Sequence, residues 1–509
     1  MRLLAFAAMT VTLGACAVGP QFEKPAPPEV EGWRGDALPA ATVSSDEPTG
    51  DAQRFLEGEE VAADWWAAFD NAELDRRIEA ALAHSPSIAS AQAALREAQE
   101  NVAAARGPLW PGVDAKAGAN RQKNSAASLG GAQVGSSTFT LYNASVDVGY
   151  TLDLFGANRR GVEAQAALAD FQYFQLQGTY LALTANVATA SFREAALQEQ
   201  IAANEEVISL LGEQLDLIET QHDIGVVSMA DVLVARSEIA TARAQLPALR
   251  QALDQTRNQL AVYMGRFPSQ AGLGEIDLDA LTLPRDIPLS LPSQLTRQRP
   301  DVLAAEAQLH RATAAVGIAT ANLFPQITLS ASYGSQALEG SDLFSSGTTA
   351  WGIGLNLLQP LFRGGELRAR KRAAEAGLDR IAADYRETVL TAFQDVADSL
   401  RALELDAEAL AAQADAEEAA QRSLELVRVQ YRDGAANYLQ VLDATRQYQQ
   451  ARIGLAQARG ARLTDTAALF VALGGGWSAE SDFESPTTLQ PEPIGVEAAS
   501  PPLPPDPED

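Results

Sequence analysis

The stretch GELRARKRAAEAGLDRIAADYRETVLTAFQDVADSLRALELDAEALAAQADAEEAAQRSLELVRVQYRDG, residues 365–434, decides the fold. It contains no proline and, between its terminal residues, one glycine, Gly377. Ala, Leu, Glu and Arg dominate it, and these lose little side-chain freedom in a helix. A single helix from Gly365 to about Arg432 is expected, stopped at Gly434, where a helix end favours glycine. At 1.5 Å rise, some 65 residues make a rod of roughly 100 Å. A return helix of about 40 residues follows, with Leu439, Leu442, Ile453 and Leu455 on a three-and-four spacing that asks for packing along its length. Such a rod is the wrong shape for a globular enzyme core and about the right length to cross a periplasm.

Working outward, the first half repeats the pattern. Asn158 to about Gln221 reads as a second long helix, ended by Gly225. Gly225 through Gly265 aligns without gaps on Gly434 through Gly474, with Val232-Leu233 matching Val441-Leu442. His84-Ser85-Pro86 opens a helix running to Leu109-Trp110-Pro111, and Arg299-Pro300 opens another running to Leu323-Phe324-Pro325. Leu95 then matches Leu309, and Val102 matches Val316. A looser match sets Val146–Tyr150 on Ile353–Leu357. Each half reads helix, strand, strand, long helix, turn, long helix.

The strands are of a different kind. Ser137 to Asp153 alternates in two runs of opposite phase, one through Phe139 and Leu141, one through Val146, Val148, Tyr150 and Leu152. Thr349 to Leu361 alternates Trp351, Ile353, Leu355 and Leu357 with Gly and Asn. Residues 113–123 and 326–336 are their hairpin partners, joined by Gly- and Ser-rich loops such as Ser128-Leu129-Gly130-Gly131. This is the pattern of lipid-facing barrel strands with a polar or small-residue interior. An ordinary half-buried sheet is the alternative. Four strands cannot close, and an open edge is not tolerated in lipid, so a membrane barrel needs several copies.

The net charge of −28 excludes a nucleic-acid binder, which needs a basic footprint. The single cysteine, Cys16, excludes a disulfide framework within one chain and a cysteine-based metal site. Arg2 followed by Leu3–Leu13 reads as a secretory signal, too short to span a bilayer. It ends Leu13-Gly14-Ala15-Cys16, similar to a bacterial lipobox, so Cys16 is the expected lipidation site. By resemblance to bacterial lipoproteins, Ala17 after that cysteine implies sorting to the outer membrane. Several acyl chains on one terminus anchor stably.

Taken in order, the motifs resemble the outer membrane factor family (TolC-like), in its OprM- and NodT-like lipoprotein branch, over nearly all of residues 16–475. They are Val18-Gly19-Pro20-Gln21-Phe22, Trp65-Trp66 with Phe69, Leu152-Asp153-Leu154-Phe155-Gly156, Arg297-Gln298-Arg299-Pro300-Asp301-Val302, and Tyr431-Arg432-Asp433-Gly434 with Val441-Leu442-Asp443. The resemblance implies a mainly α fold with a membrane β-barrel. A homotrimer would build a barrel of long α-hairpins joined to a twelve-strand β-barrel, four strands per protomer. It implies a passive outer-membrane exit duct for small molecules, lipid-anchored and reaching into the periplasm of a Gram-negative bacterium. A periplasmic adaptor and an inner-membrane pump of the resistance-nodulation-division type would feed it. No cofactor is implied beyond the lipid on Cys16.

By matching positions, the resemblance also implies a periplasmic gate at Leu439 and Asp443. Being four apart they share a helix face, so three copies would form an apolar constriction and a carboxylate ring. On the residues alone, Asp443 reads first as a solvated helix-surface charge. The turns at Gly225 and Gly434 are candidate adaptor-docking tips, or simply helix-ending glycines.

The expected division is a signal peptide at 1–15 and a lipidated extended segment at 16–63. Repeat 1 covers 64–265, with a β-hairpin at 113–155 and an α-hairpin at 157–265. A linker at 266–296 leads to repeat 2 at 297–475, with a β-hairpin at 326–362 and an α-hairpin at 364–475. A disordered Pro-rich acidic tail closes the chain at 476–509. No enzyme signature is present: His84, His222 and His310 are scattered, and no phosphate loop or nucleophile elbow occurs. Two alternatives stay open, a channel for one-step (type I) protein secretion and a lipid-anchored periplasmic coiled-coil scaffold.

Overall fold

The computed structural model describes residues 17–30, 32–124 and 137–476. The signal peptide, Cys16, the turn at 128–131 and the acidic tail from 477 lie outside the described residues.

The elements run β1 (Arg54–Glu57), α1 (Ala72–His84), α2 (Pro86–Arg106), β2 (Gly112–Asn124), β3 (Ser137–Leu152), α3 (Ala157–Asp223) and α4 (Met229–Tyr263). They continue β4 (Asp286–Leu289), α5 (Pro292–Gln298), α6 (Pro300–Ala321), β5 (Gln326–Ala337), β6 (Thr349–Leu358), α7 (Glu366–Arg432) and α8 (Tyr438–Ala472). The long helices α3 and α7 are each 67 residues, about 100 Å, and the return helices α4 and α8 are each 35.

Local chemistry sets where the long helices begin and end. Asp153 receives the backbone N–H groups of Asn158 (3.1 Å) and Arg159 (3.0 Å), satisfying donors that the first turn of α3 leaves open. At the far ends, Gly225 and Gly434 both sit at φ 77°, a left-handed conformation that stops each helix. Val226 N–H then donates to Gln221 O (2.8 Å) and Ala435 N–H to Gln430 O (2.7 Å). Each return helix opens with a capping box, Ser228 with Asp231 in α4 and Asn437 with Gln440 in α8.

The long helices are twice the length of their return partners, so each serves two bundles. Toward the sheet the packing order is α2–α3–α6–α7; toward the tips it is α4–α3–α8–α7. Between the two lies the main core, where Phe69 meets Phe192 (4.7 Å) and Trp65 meets Phe470 (6.0 Å between ring centroids). The 266–296 segment is part of this core rather than a bare linker. Leu278, Leu281, Leu283, Ile287 and Leu289 are buried, and β4 pairs in parallel with β1. Its alternation was too short to read as a strand from sequence.

The four-stranded sheet has the order β2-β3-β5-β6, all antiparallel, with β3–β5 joining the two halves. One face carries Val113, Val146, Val148, Leu329, Tyr333, Trp351, Ile353 and Leu355. The other carries Asp114, Lys116, Asp147, Ser330, Ser332 and Asn356. The β2–β3 ladder has no bulge, so the phase change in β3 turns Phe139 and Leu141 onto the polar face, opposite Gln122 and Asn120.

The registers also correct the looser repeat match. Val113 pairs with Val148, while its counterpart Ile327 pairs with Leu357, so Val148 corresponds to Leu357 and Val146 to Leu355. The sequence match was displaced by two residues. A shift of two keeps every side chain on its face, so alternation cannot detect it.

Candidate functional site: the hairpin tips and the base of the sheet

Leu439 and Asp443 lie on one exposed face of α8, in its first two turns. Tyr438, Val441, Leu442 and Thr445 take the opposite, buried face, which fixes the rotation of the helix. Leu439 is 67% exposed, a large apolar side chain with no cover in the single chain. Asp443 accepts one hydrogen bond, from Gln447 (2.8 Å). The two tips also expose Ile224, Val226, Met229 and Leu233 beside Gly225, while charged Arg432 and Asp433 stand beside Gly434.

Contacts that the sequence did not reveal lock the second hairpin to the first just above the tips. Tyr431 donates to Gln221 (3.0 Å), and Arg446 of α8 forms an ion pair with Glu238 of α4 through two nitrogens. Tyr448 donates to Glu206 (3.2 Å), and Arg452 reaches Glu199 (3.1 Å). Burial, then the nearby Glu206 carboxylate, pushes the Tyr448 hydroxyl up to about 12, so it stays a donor. The partners lie on different helices and share no spacing, which is why no sequence signal marks them.

Higher along the second hairpin, α7 and α8 bring two carboxyl groups together. Burial first, and then the adjacent Asp465, raises Asp406 to about 7. Arg462, wholly buried beside them, donates to Asp51 O (2.6 Å) and Thr42 Oγ1 (3.2 Å), tying this point to the N-terminal segment.

At the other end, the N-terminal segment is strapped along the helices. Val18 N–H donates to Phe155 O (3.1 Å), and a Cβ on Gly156 would lie 2.7 Å from that of Ala17. Gly19 crosses α6 at Gly317 so closely that a Cβ there would sit 2.6 Å from its Cα. Phe22 stacks on His310 (4.4 Å), whose Nε2 meets Glu163 (3.0 Å). Burial favours the neutral form of Glu163, but hydrogen bonds from His310 and Arg160 hold its carboxyl below the usual range. Farther down, Arg34 pairs with Glu404 (2.8 Å). His310, scattered in sequence, is thus a docking point for the strap. Around this junction Trp110, Leu361 and Phe362 are exposed, and Phe155 stacks on Phe324 (4.6 Å).

Among the described residues no cluster of His, Cys, Asp or Glu is arranged to hold a metal, and no helix is long and apolar enough to cross a membrane.

Comparison with known proteins gives a consistent result. The family model described as "Outer membrane efflux protein" matches residues 77–266 and 291–475. The chain is 32% identical to the pyoverdine export outer membrane protein OpmQ of Pseudomonas aeruginosa, over 82% of this chain and 88% of the relative. It is 31% identical to the toluene efflux pump outer membrane protein TtgC of Pseudomonas putida, over 93% and 96%. Among solved structures it resembles the outer-membrane channel OprN, with 29% identity, TM-score 0.80, and 91% of this chain and 100% of that one covered. The CmeC channel of Campylobacter jejuni, at 18% identity and TM-score 0.81 over 92% and 96%, shares the fold.

Proposed function

The chain belongs to the outer membrane efflux protein family, and from that premise we propose that it works as a lipid-anchored homotrimeric exit duct gated at its periplasmic end. It is the outer-membrane channel of a Gram-negative tripartite efflux system, a transporter and not an enzyme, partnered by a pump and an adaptor.

The observation that carries the trimer is the sheet itself. One face is apolar, the other largely polar, and the outer edges of β2 and β6 have no partner strand among the described residues. A lipid-facing sheet cannot leave those edges open. Three copies of four strands give a twelve-strand barrel with an apolar outside and a polar lumen, and the helices below are ordered so that the same ring continues through them.

The docking of Ala17 and Val18 at Phe155–Gly156 supports a lipidated Cys16, because it brings the chain to the base of the sheet, at the level of exposed Trp110 and Phe362. The gate we assign to Leu439 and Asp443, supported by their shared exposed face on the hairpin whose tip must turn toward the axis. The tips at Gly225 and Gly434 we assign to adaptor docking. The cargo we propose is small organic molecules, and the pump a resistance-nodulation-division transporter. We divide the chain at the repeat boundaries given above, 64–265 and 297–475.

The test is the native mass of the protein extracted from outer membranes in mild detergent, with the intact mass of its N-terminus. A trimer bearing lipidated Cys16 supports the assignment. A monomer that becomes soluble once Cys16 is replaced would overturn it.

A further inference from the structure

The hairpin of β2 and β3 changes character at its outer end, the end away from the helices. On the apolar face, β3 runs from Leu152 through Val148 and Val146 to Tyr142, and then turns to Thr140 and Thr138. Beside it, Val113, Ala115, Ala117 and Ala119 of β2 give way to Arg121 and Lys123, which pair with Thr140 and Thr138. Over the same steps the opposite face gains Leu141 and Phe139. The change of phase in β3 is therefore an exchange of faces: apolar residues turn to the polar side where hydroxyls and cations turn to the apolar side. The ladder runs through it without a break.

The exchange falls at a definite height. From Leu152 to Tyr142 a strand climbs about 34 Å, at 3.4 Å per residue, and about 25 Å along a barrel axis at a tilt near 45°. That is the height of the apolar band of a membrane barrel. Arg121 and Lys123 stand one and two pleats beyond it, about 5 and 10 Å farther along the axis, where hydrocarbon gives way to headgroups.

Both side chains are exposed, and neither has an ion-pair or hydrogen-bonding partner among the described residues. No carboxylate is near them in sequence. The chain has 66 acidic residues, yet none occurs between Asp114 and Asp147, across both strands and the turn that joins them. The charges there, Lys116, Arg121 and Lys123, are all cationic, and Lys116 turns to the other face, where it meets Asp147 (3.2 Å). Glu339 and Asp342 follow β5, on the far side of β3.

We propose that Arg121 and Lys123 bind the phosphate groups of lipids in the outward-facing leaflet, an assignment that rests on the barrel proposed above and names the lipid chemistry at its outer rim. Each copy contributes two cations. Guanidinium pairs with phosphate through two parallel N–H groups, and ammonium pairs with it as a point charge. Basic side chains at an anionic membrane surface add their contributions, and the sum is screened by salt.

The test uses the full-length protein, extracted from outer membranes in mild detergent and washed free of lipid. It is titrated with diphosphorylated lipid A and with the dephosphorylated form, and bound lipid is counted by native mass spectrometry. The parent is expected to favour the phosphorylated form. Arg121→Ser with Lys123→Ser is expected to weaken that binding on the order of tenfold and to remove the preference. Lys116→Ser, on the other face, is expected to bind as the parent does; an equal loss there would make the attraction a property of the whole hairpin and overturn the site. Displacement of the lipid by an equal concentration of inorganic phosphate would overturn the choice of a lipid ligand. A trimer whose double variant binds both lipids as the parent does overturns the proposal and leaves the ring standing. If that variant instead lowers the temperature at which the trimer dissociates, the cations belong to carboxylates of the next copy. A monomeric native mass overturns the ring and the rim site together.

Discussion

Asp406 of α7 and Asp465 of α8 face one another across the seam of the second hairpin, close enough for one carboxyl to donate to the other. Arg462 and Asp51 are the charged groups packed around them. An aspartate ordinarily titrates near 3.9, whereas Asp406, raised by burial and then by its neighbour, holds its proton to about 7. The folded chain therefore keeps a proton that the unfolded chain has released. This contribution is complete below about pH 4 and is lost as pH rises through about 7. The unfolding temperature is expected to fall between pH 5 and pH 8, and Asp406→Asn to flatten that slope and raise stability at pH 8. Thermal melts across the range decide it; a mutant slope equal to the parent's would place the proton elsewhere.

Arg77 and Glu194 form an ion pair of 2.7 Å in which both side chains are 0% exposed. Glu194 also receives Arg257, and Arg77 reaches Glu73 and Gly274 O. Removing Glu194 alone leaves the buried Arg77 guanidinium with Glu73 as its one carboxylate partner, at a cost of up to about 3–5 kcal/mol. Glu194→Ala is thus expected to unfold well below the parent, and Arg77→Met with Glu194→Leu to recover most of the loss. Denaturant titration of the single and double variants gives the answer.

If Asp443 lines the periplasmic constriction as proposed, Asp443→Ala is expected to increase ion leak through the closed duct and to reduce its preference for cations, because a ring of carboxylates on the axis would be gone. Single-channel conductance and reversal potential in a planar bilayer measure both. Conductance and selectivity matching the parent would remove Asp443 from the axis.

The ion pair of Arg446 with Glu238 holds the second hairpin to the first while partly exposed to solvent. Its strength is on the order of 1 kcal/mol, so Arg446→Glu is expected to raise the open population by roughly fivefold rather than abolish closure. The exchange Arg446→Glu with Glu238→Arg should restore the parent's conductance. If the exchange variant leaks as much as the single one, the pair does not restrain the hairpin.

Much of the architecture was legible because it rests on long-range regularity. An absence of proline over residues 365–432 and a glycine at 434 suffice to announce α7, and period-two alternation announces β6. What was hidden depends on partners distant in the chain. The burial of Leu278 and Ile287 needs β1 and the Phe69 cluster, which no local pattern contains. The two-residue displacement of Val146 onto Leu355 was invisible because both alignments preserve the faces. The half-buried Asp406 was indistinguishable from its solvated neighbours such as Glu408, since a helix of mixed composition does not declare which charge turns inward. Leu439 and Asp443 were named by resemblance. The fold adds that they share one exposed face, while the neighbours that hold them there, Tyr438 and Val441, are buried.

The equal lengths of α3 and α7, and of α4 and α8, bear on how such a chain can change over evolutionary time. Both hairpins end at the same depth. A residue inserted into one long arm would rotate everything beyond it by about 100° and push its tip past the other's. Only matched insertions, in both arms of both hairpins and in near-whole turns, keep the rim level and the packed faces aligned. The reach of the molecule is thus a heritable length that lineages can alter in large, coordinated steps or scarcely at all.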